Sequence, residues 1–236
     1  MIITKKKAIK DILESLAGGA TPAGGATPKG IKSVFLFGCG TCAEQCSTGG
    51  KKELDEMKKT LEENGFKVTG SSLPEVTCYR QFIVKEFKGH KEISSSDAML
   101  VLACGAGVRT VADVAPHSKP VLAALDSLYL ATVERFGRFH EGCAMCGECV
   151  LSDTAGICPH TECPKGLLNG PCGGVADGMC EVDITQPCAW VRIYNRLKEQ
   201  GRLHLMKKIR PPKSHADNVR PRKTFLRSYE REIGKK

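Results

Sequence analysis

The stretch Asp97–Gly105, "DAMLVLACG", decides the fold. Six apolar residues follow one another from Ala98 to Ala103, with no polar residue between them. A strand that is apolar on both faces is covered on both faces, and such strands belong to parallel sheets flanked by helices. Working outward, "IKSVFLFG" (31–38), "FKVTG" (66–70) and "PVLAALDS" (120–127) read as three further strands. Between them lie helical patterns. In "GGKKELDEMKKTLEENG" (49–65), Leu54, Met57 and Leu61 share a face and Gly65 ends the helix. "YRQFIVKEFKG" (79–89) and "VRTVADVAPHS" (108–118) complete the alternation. Strand and helix in turn predict an α/β domain over residues 31–140, with a parallel, Rossmann-like or flavodoxin-like sheet.

This frame gives the cysteines an address. Cys39 follows the first strand in "FLFGCGTCAEQC", Cys78 lies beyond the second in "LPEVTC", and Cys104 ends the third. The carboxyl ends of parallel strands share one edge of the sheet, where ligands bind. Segments far apart in sequence therefore deliver Cys39, Cys42, Cys46, Cys78 and Cys104 to one rim. Alone, Cys104 reads equally as a small buried hydrophobe. Cys39-x2-Cys42 is also a thioredoxin-type spacing, but that chemistry needs no further cysteines on the rim. The preferred reading is a 4Fe–4S cluster on Cys39, Cys42 and Cys78, completed by Cys46 or Cys104. Gly38 and Gly40 begin a G-x-G-x-x-G turn that the residues up to Glu44 do not complete, so a dinucleotide site is not indicated.

From Cys143 the periodicity stops until about residue 186. Eight cysteines take its place: Cys143, Cys146, Cys149, Cys158, Cys163, Cys172, Cys180 and Cys188. The segment is rich in Gly and Pro and poor in large apolar residues, so it is expected to need a metal staple. Cys143-x2-Cys146-x2-Cys149 exceeds the paired C-x2-C of a zinc site and suits three corners of a cubane. Ferredoxin spacing would put the fourth cysteine at 153, where Asp153 stands. Eight thiols make two sets of four, hence two clusters, or one cluster and one zinc. His140 and His160 read as structural or surface histidines. The segment ends in "QPCAWVRIYNRLKEQG" (186–201), a helix with Trp190, Tyr194 and Leu197 on one face, Gly201 at its end, and Cys188 where the helix dipole favours a thiolate.

The rest of the chain sets bounds. It has 236 residues, 13 of them cysteine, an odd number that a disulfide scaffold would not use up. Residues 1–30 read as one short amphipathic helix followed by a linker that repeats GGATP. No signal peptide or membrane span is read, and a cytoplasmic protein with reduced thiols is expected. From Lys207 to Lys236 there are 11 Lys/Arg against 3 Asp/Glu, so most of the net charge of +9 belongs to this tail. Phe225 and Tyr229 alone do not make a nucleic-acid motif, and a solvated arm wrapping a partner subunit is expected. The organisation read is therefore 1–30 helix and linker, 31–140 α/β, 141–206 cysteine-rich with a terminal helix, and 207–236 basic tail.

The motifs "GCGTCAEQCSTGG" (38–50), "LACGAGVRTV" (102–111) and "GICPHTECPKGLLNGPCGG" (156–174), followed by "CEVD" (180–183) and "CAWVRIYNRL" (188–197), resemble the small subunit of two-subunit bacterial methylenetetrahydrofolate reductases of the Wood–Ljungdahl pathway. The resemblance covers about residues 31 to 206. It implies an iron–sulfur electron-transfer and assembly subunit with two or three 4Fe–4S clusters, relaying electrons to or from the flavin of a folate-binding catalytic subunit. It also implies association with further electron-transfer subunits or ferredoxin. The alternative it leaves open is a zinc-finger-like docking subunit, with zinc at a C-terminal site and no electron-transfer role. In neither case is this chain expected to catalyse the folate reaction itself.

Overall fold

The structure, a computed structural model, describes residues 1–17, 30–214, 216, 219–222 and 224. In chain order the elements are β1 (Ile2–Lys6), α1 (Ile9–Leu16), β2 (Ser33–Phe37), α2 (Cys42–Gln45), α3 (Lys51–Glu63), β3 (Lys67–Ser72), α4 (Arg80–Gly89), α5 (Glu92–Ser95), β4 (Ala98–Val101), α6 (Gly105–Val114), β5 (Val121–Ala123), β6 (Leu125–Arg135), β7 (Arg138–Cys143), α7 (Pro159–Glu162) and α8 (Ala189–Glu199). A 3-10 turn, Leu203–Lys207, follows. The chain divides into two units, Met1–His140 and Glu141–Lys236.

In the first unit, β3, β2, β4 and β5 form a four-stranded sheet in that order, and every pairing is parallel. Every residue of β2 and of β4 is buried. Successive residues of a strand point to opposite faces, so both faces of the sheet are covered. The covering side chains include Ile12 and Leu16 of α1, Leu54, Met57 and Leu61 of α3, Ile83 of α4 and Val111 of α6. Each fully buried Leu, Ile or Phe contributes about 1.5–3 kcal/mol, which makes this cluster the stabilising centre of the unit. The chain steps from β2 to β3 on one side, then crosses to β4 on the other. The switch point therefore lies beyond the carboxyl ends of β2 and β4.

A second, antiparallel sheet, β1-β6-β7, is an addition to the expected architecture. "PVLAALDS" is not one strand. Val121–Ala123 completes the parallel sheet, the chain turns at Ala124, and Leu125 opens β6. The opening segment also differs from a lone helix. Ile2–Lys6 pairs with β6, Ile2 opposite Leu130 and Thr4 opposite Ser127, and α1 follows. Nor is α1 set apart, because Ile12 and Leu16 are buried in the main core. The GGATP repeat lies outside the described residues.

The second unit is loop-dominated, as the composition predicts, but it does have an apolar centre. Ile157, Trp190, Ile193 and Leu197 are buried together, with Leu167 and Val175 packed against them. Trp190 Nε1 donates to the Leu167 carbonyl at 3.0 Å. The buried face of α8 is Trp190, Ile193 and Leu197, while Tyr194 is 43% exposed and is not part of it. Gly201 takes φ +66°, the left-handed conformation that ends a helix without a Cβ penalty.

Candidate functional site

Three loops after β2, β3 and β4 build the rim of the first unit. The Gly38 amide donates to Ser72 O at 2.9 Å, the Gly40 amide to Pro74 O at 2.9 Å, and the Leu102 amide to Phe37 O at 2.7 Å. Thr77 Oγ1 donates to Gly38 O at 2.6 Å. Backbone lies against backbone here. A Cβ on Gly49 would stand 2.0 Å from Leu102 O, and one on Gly38 would stand 2.6 Å from Gly49 O. The loops after β2 and β4 thus approach as only glycine permits.

These loops bring four of the five expected cysteines together. Cys39 and Cys104 are buried, Cys42 is half-buried and Cys78 is exposed. Burial pushes the Cys78 thiol up, and the neighbouring Cys104, Cys39 and Cys42 push it further in the same direction. Burial also raises the Cys39 thiol, but hydrogen bonds from Thr41 and Thr77 outweigh it, and the net shift is downward. Cys39 Sγ and Thr41 Oγ1 are 3.2 Å apart. Cys46 faces elsewhere, its thiol 3.8 Å from Ile2 O. Of the two residues expected to complete the set, Cys104 is the one at the rim.

In the second unit, Cys163, Cys172, Cys180 and Cys188 line one cavity, with Pro164, Pro171, Val175 and Trp190 on its walls. It encloses about 20 Å³ of space open to a water-sized body. The Cys188 amide donates to Gly178 O at 2.8 Å and the Cys180 amide to Gln186 O at 2.9 Å, so a tight loop delivers both thiols. A Lys165–Glu181 ion pair stands among the lining residues. Cys158 precedes Pro159 at the start of α7 and is half-buried.

The Cys143–Cys149 loop is a separate feature. Met145 (φ +51°) and Gly147 (φ +85°) are both left-handed, and the Met145 amide turns onto Cys143 Sγ at 3.3 Å. Burial raises the Cys146 thiol, but the Lys213 ammonium, 2.7 Å away, and the Glu148 backbone lower it further, and the net shift is downward. Sequence reasoning did not find Lys213 here, because it lies in the basic tail. His140 is exposed and sits 3.2 Å from Glu134.

The donor chemistry fits soft metal centres. Sets of four thiolates select zinc or iron–sulfur clusters. Among the described residues, no three His, Cys, Asp or Glu stand around a single-ion position. A zinc with Zn–S of about 2.3 Å needs its thiolates within about 4 Å of one another. A cubane takes each thiolate on a different iron and accepts a wider ring of sulfurs than a single ion does. The cavity, with room for about one water-sized body, would need its thiols to draw in around a single ion and to spread for a cubane.

Fold and thiol placement together define a class: an α/β unit with four cysteines at its switch point, followed by a cysteine-rich module. Residues 122–216 match the family described as methylene-tetrahydrofolate reductase C terminal, which relates this part of the chain to methylenetetrahydrofolate reductases. The match spans less than half of the chain and leaves the rim cysteines outside it. No curated protein and no solved structure matches the chain. No helix among the described residues is long and apolar enough to cross a membrane.

Proposed function

We propose that this chain is the iron–sulfur electron-transfer and assembly subunit of a methylenetetrahydrofolate reductase complex, relaying electrons to or from the flavin of a folate-binding catalytic subunit. The observation that carries this reading is the convergence of Cys39, Cys42, Cys78 and Cys104 beyond the carboxyl ends of β2, β3 and β4. Bound there, a 4Fe–4S cluster supplies one-electron transfer. The chain's own residues set how it would be used. Buried Cys39 and Cys104 close the site on the sheet side, and the Thr41 hydroxyl beside Cys39 Sγ favours its thiolate. Cys78 is exposed and is followed by Tyr79, which is 52% exposed, so the partner is expected to approach from this side. The family match over residues 122–216 supports the choice of reductase.

A second reading applies to the cavity of Cys163, Cys172, Cys180 and Cys188. Its small volume favours a single zinc ion that staples the module for docking. The two readings are compatible if the rim carries the electrons.

The test is iron, sulfide and zinc per chain on anaerobically purified full-length protein, with EPR before and after dithionite. About four to twelve irons with matching sulfide and a reduced-cluster signal are expected, accompanied by zinc if the cavity holds it. Adding the reduced chain to the oxidised catalytic subunit should then bleach the flavin. Zinc with no iron would end the electron-transfer reading and leave a docking subunit.

A further inference from the structure

The basic tail is not solvated throughout. Its first residues fold back across the second unit. Lys208 Nζ reaches Asp153 Oδ2 at 3.0 Å, and Arg210 Nη2 reaches the same oxygen at 3.5 Å. The Arg210 amide donates to Asn169 Oδ1 at 2.8 Å, and Asn169 Nδ2 donates to Arg210 O at 2.9 Å. Arg210 Nη1 also donates to Leu168 O at 3.1 Å, and its side chain is only 10% exposed. Pro211 and Pro212 carry the chain on. Lys213 Nζ then meets Cys146 Sγ and Glu148 O, each at 2.7 Å, and the Ser214 amide donates to Glu148 Oε1 at 3.1 Å.

The contacts of Lys208, Lys213 and Ser214, and the Arg210–Asp153 pair, join the tail to the loop that holds Cys143, Cys146 and Cys149 or to the turn just after it, while Asn169 and Leu168 fix Arg210 from a second segment. A nearly buried arginine with reciprocal backbone–amide bonds is not a surface accident, since ordering it costs side-chain and backbone entropy that isolated surface ion pairs do not recover. The family match ends at residue 216, so it includes this segment and excludes most of the tail beyond.

We infer that Lys208–Ser214 is a strap that closes the Cys143–Cys149 loop, with Asp153 as its anchor in place of a fourth metal ligand and Lys213 as the positioning residue for Cys146. This deepens the metal-binding reading of that loop and rests on it for its effect on metal, while the strap's hold on the loop stands independently. Asp153 occupies the position where a ferredoxin run would have its fourth cysteine, yet its carboxylate is taken by two cations of the strap. Lys213 fixes one sulfur and one carbonyl of the loop with the same ammonium. Partners of this kind, outside the ligands themselves, typically change metal affinity by about 10–100-fold when lost.

The test uses full-length chains: wild type, Lys213→Met, Lys213→Arg, Asp153→Asn and the double variant Lys208→Ala/Arg210→Ala. Hydrogen exchange and limited proteolysis read protection of residues 143–153. A chromogenic chelator reads the rate of metal release, and the fluorescence of Trp190, the one tryptophan, confirms that the α8 core is folded. Lys213→Met should lose protection of the loop and release metal about tenfold faster, and Lys213→Arg should restore most of both. Asp153→Asn and the double variant should behave alike, with unchanged metal per chain and a loosened loop. Unchanged protection in Lys213→Met would overturn the positioning role. Loss of bound metal in Asp153→Asn but not in the double variant would make Asp153 a ligand and overturn the anchor. If the wild type holds no metal, the metal-binding reading fails, and the protection measurement still decides the strap.

Discussion

The amide of Leu102 donates to the carbonyl of Phe37 at 2.7 Å, which sets the ends of β4 and β2 flush. Cys39 lies two residues beyond Phe37 and Cys104 two residues beyond Leu102. One hydrogen bond of the parallel ladder thus aligns two cysteines that are 65 positions apart in sequence. The rim is therefore a product of sheet register, and its ligands can be tested one at a time.

Serine at position 39, 42, 78 or 104 should each lower iron by about four atoms per chain, because a cubane binds four thiolates. Cys46→Ser should leave iron unchanged, since that thiol faces the Ile2 carbonyl. Metal analysis of the five variants checks this, with circular dichroism confirming that the sheet remains. Loss of iron in Cys46→Ser with retention in Cys104→Ser would reverse the assignment of the fourth ligand.

The close approach of the loops makes a steric prediction. Gly49→Ala puts a methyl group 2.0 Å from Leu102 O, and backbone cannot yield as a flexible side chain does. The first unit should lose about 3 kcal/mol, within the range for overpacked sites. Gly89→Ala, with nothing within 4 Å, should change stability by less than about 0.5 kcal/mol. Urea unfolding of both variants gives the comparison.

How far the sequence discloses this molecule depends on what each segment buries. β4 is legible because all its residues are covered, so an unbroken apolar run and its closing glycine suffice to place Cys104. β6 is not. Leu128 and Val133 are exposed on it, and its burial does not alternate cleanly, so the period-two signal is lost. β1 is five residues long and half lysine-rich, and only its partner strand makes it a strand. The centre of the second unit draws on residues as scattered as Ile157, Leu167 and Trp190, which no local window joins. The strap is hidden for the opposite reason. A run of Lys, Arg and Pro reads as solvated chain, and its acidic anchor lies 55 residues earlier.

Asp97 gives the first unit a defined response to acid. Its Oδ2 accepts the Ser33 hydroxyl and amide, each at 2.8 Å, and the Lys32 amide at 3.0 Å, tying the start of β4 to the start of β2. The Ser33 hydroxyl, then the Lys32 and Ser33 amides, hold the carboxyl below its ordinary value. A depressed carboxyl stabilises the fold fully above its unfolded pKa of about 3.9, and that stability is lost as pH falls through the folded value. The carboxylate is exposed, so Asp97→Asn should cost only about 1 kcal/mol at pH 7. The difference from wild type should vanish as pH is lowered below the usual carboxylate range. Denaturation midpoints measured between pH 7 and pH 3 test the sign.

The two units should also part company when metal is removed. The first is held by a large apolar cluster that includes Phe35, Leu36, Phe37, Met99 and Leu100, all at most 1% exposed. The second rests on a handful of buried residues around Trp190, and a core of that size supplies at most about 3–5 kcal/mol. A soft metal held by thiolates adds its binding energy to folding, so chelation removes the larger share of the second unit's stability. Hydrogen exchange after chelation should rise sharply across residues 158–188, less across α8, and hardly at all in β2 and β4. Trp190→Ala should push the metal-free second unit over the edge, because truncating a buried tryptophan costs about 3–5 kcal/mol, as much as the whole small core supplies. Equal protection of both units after chelation would mean that the apolar centre on α8 suffices without metal.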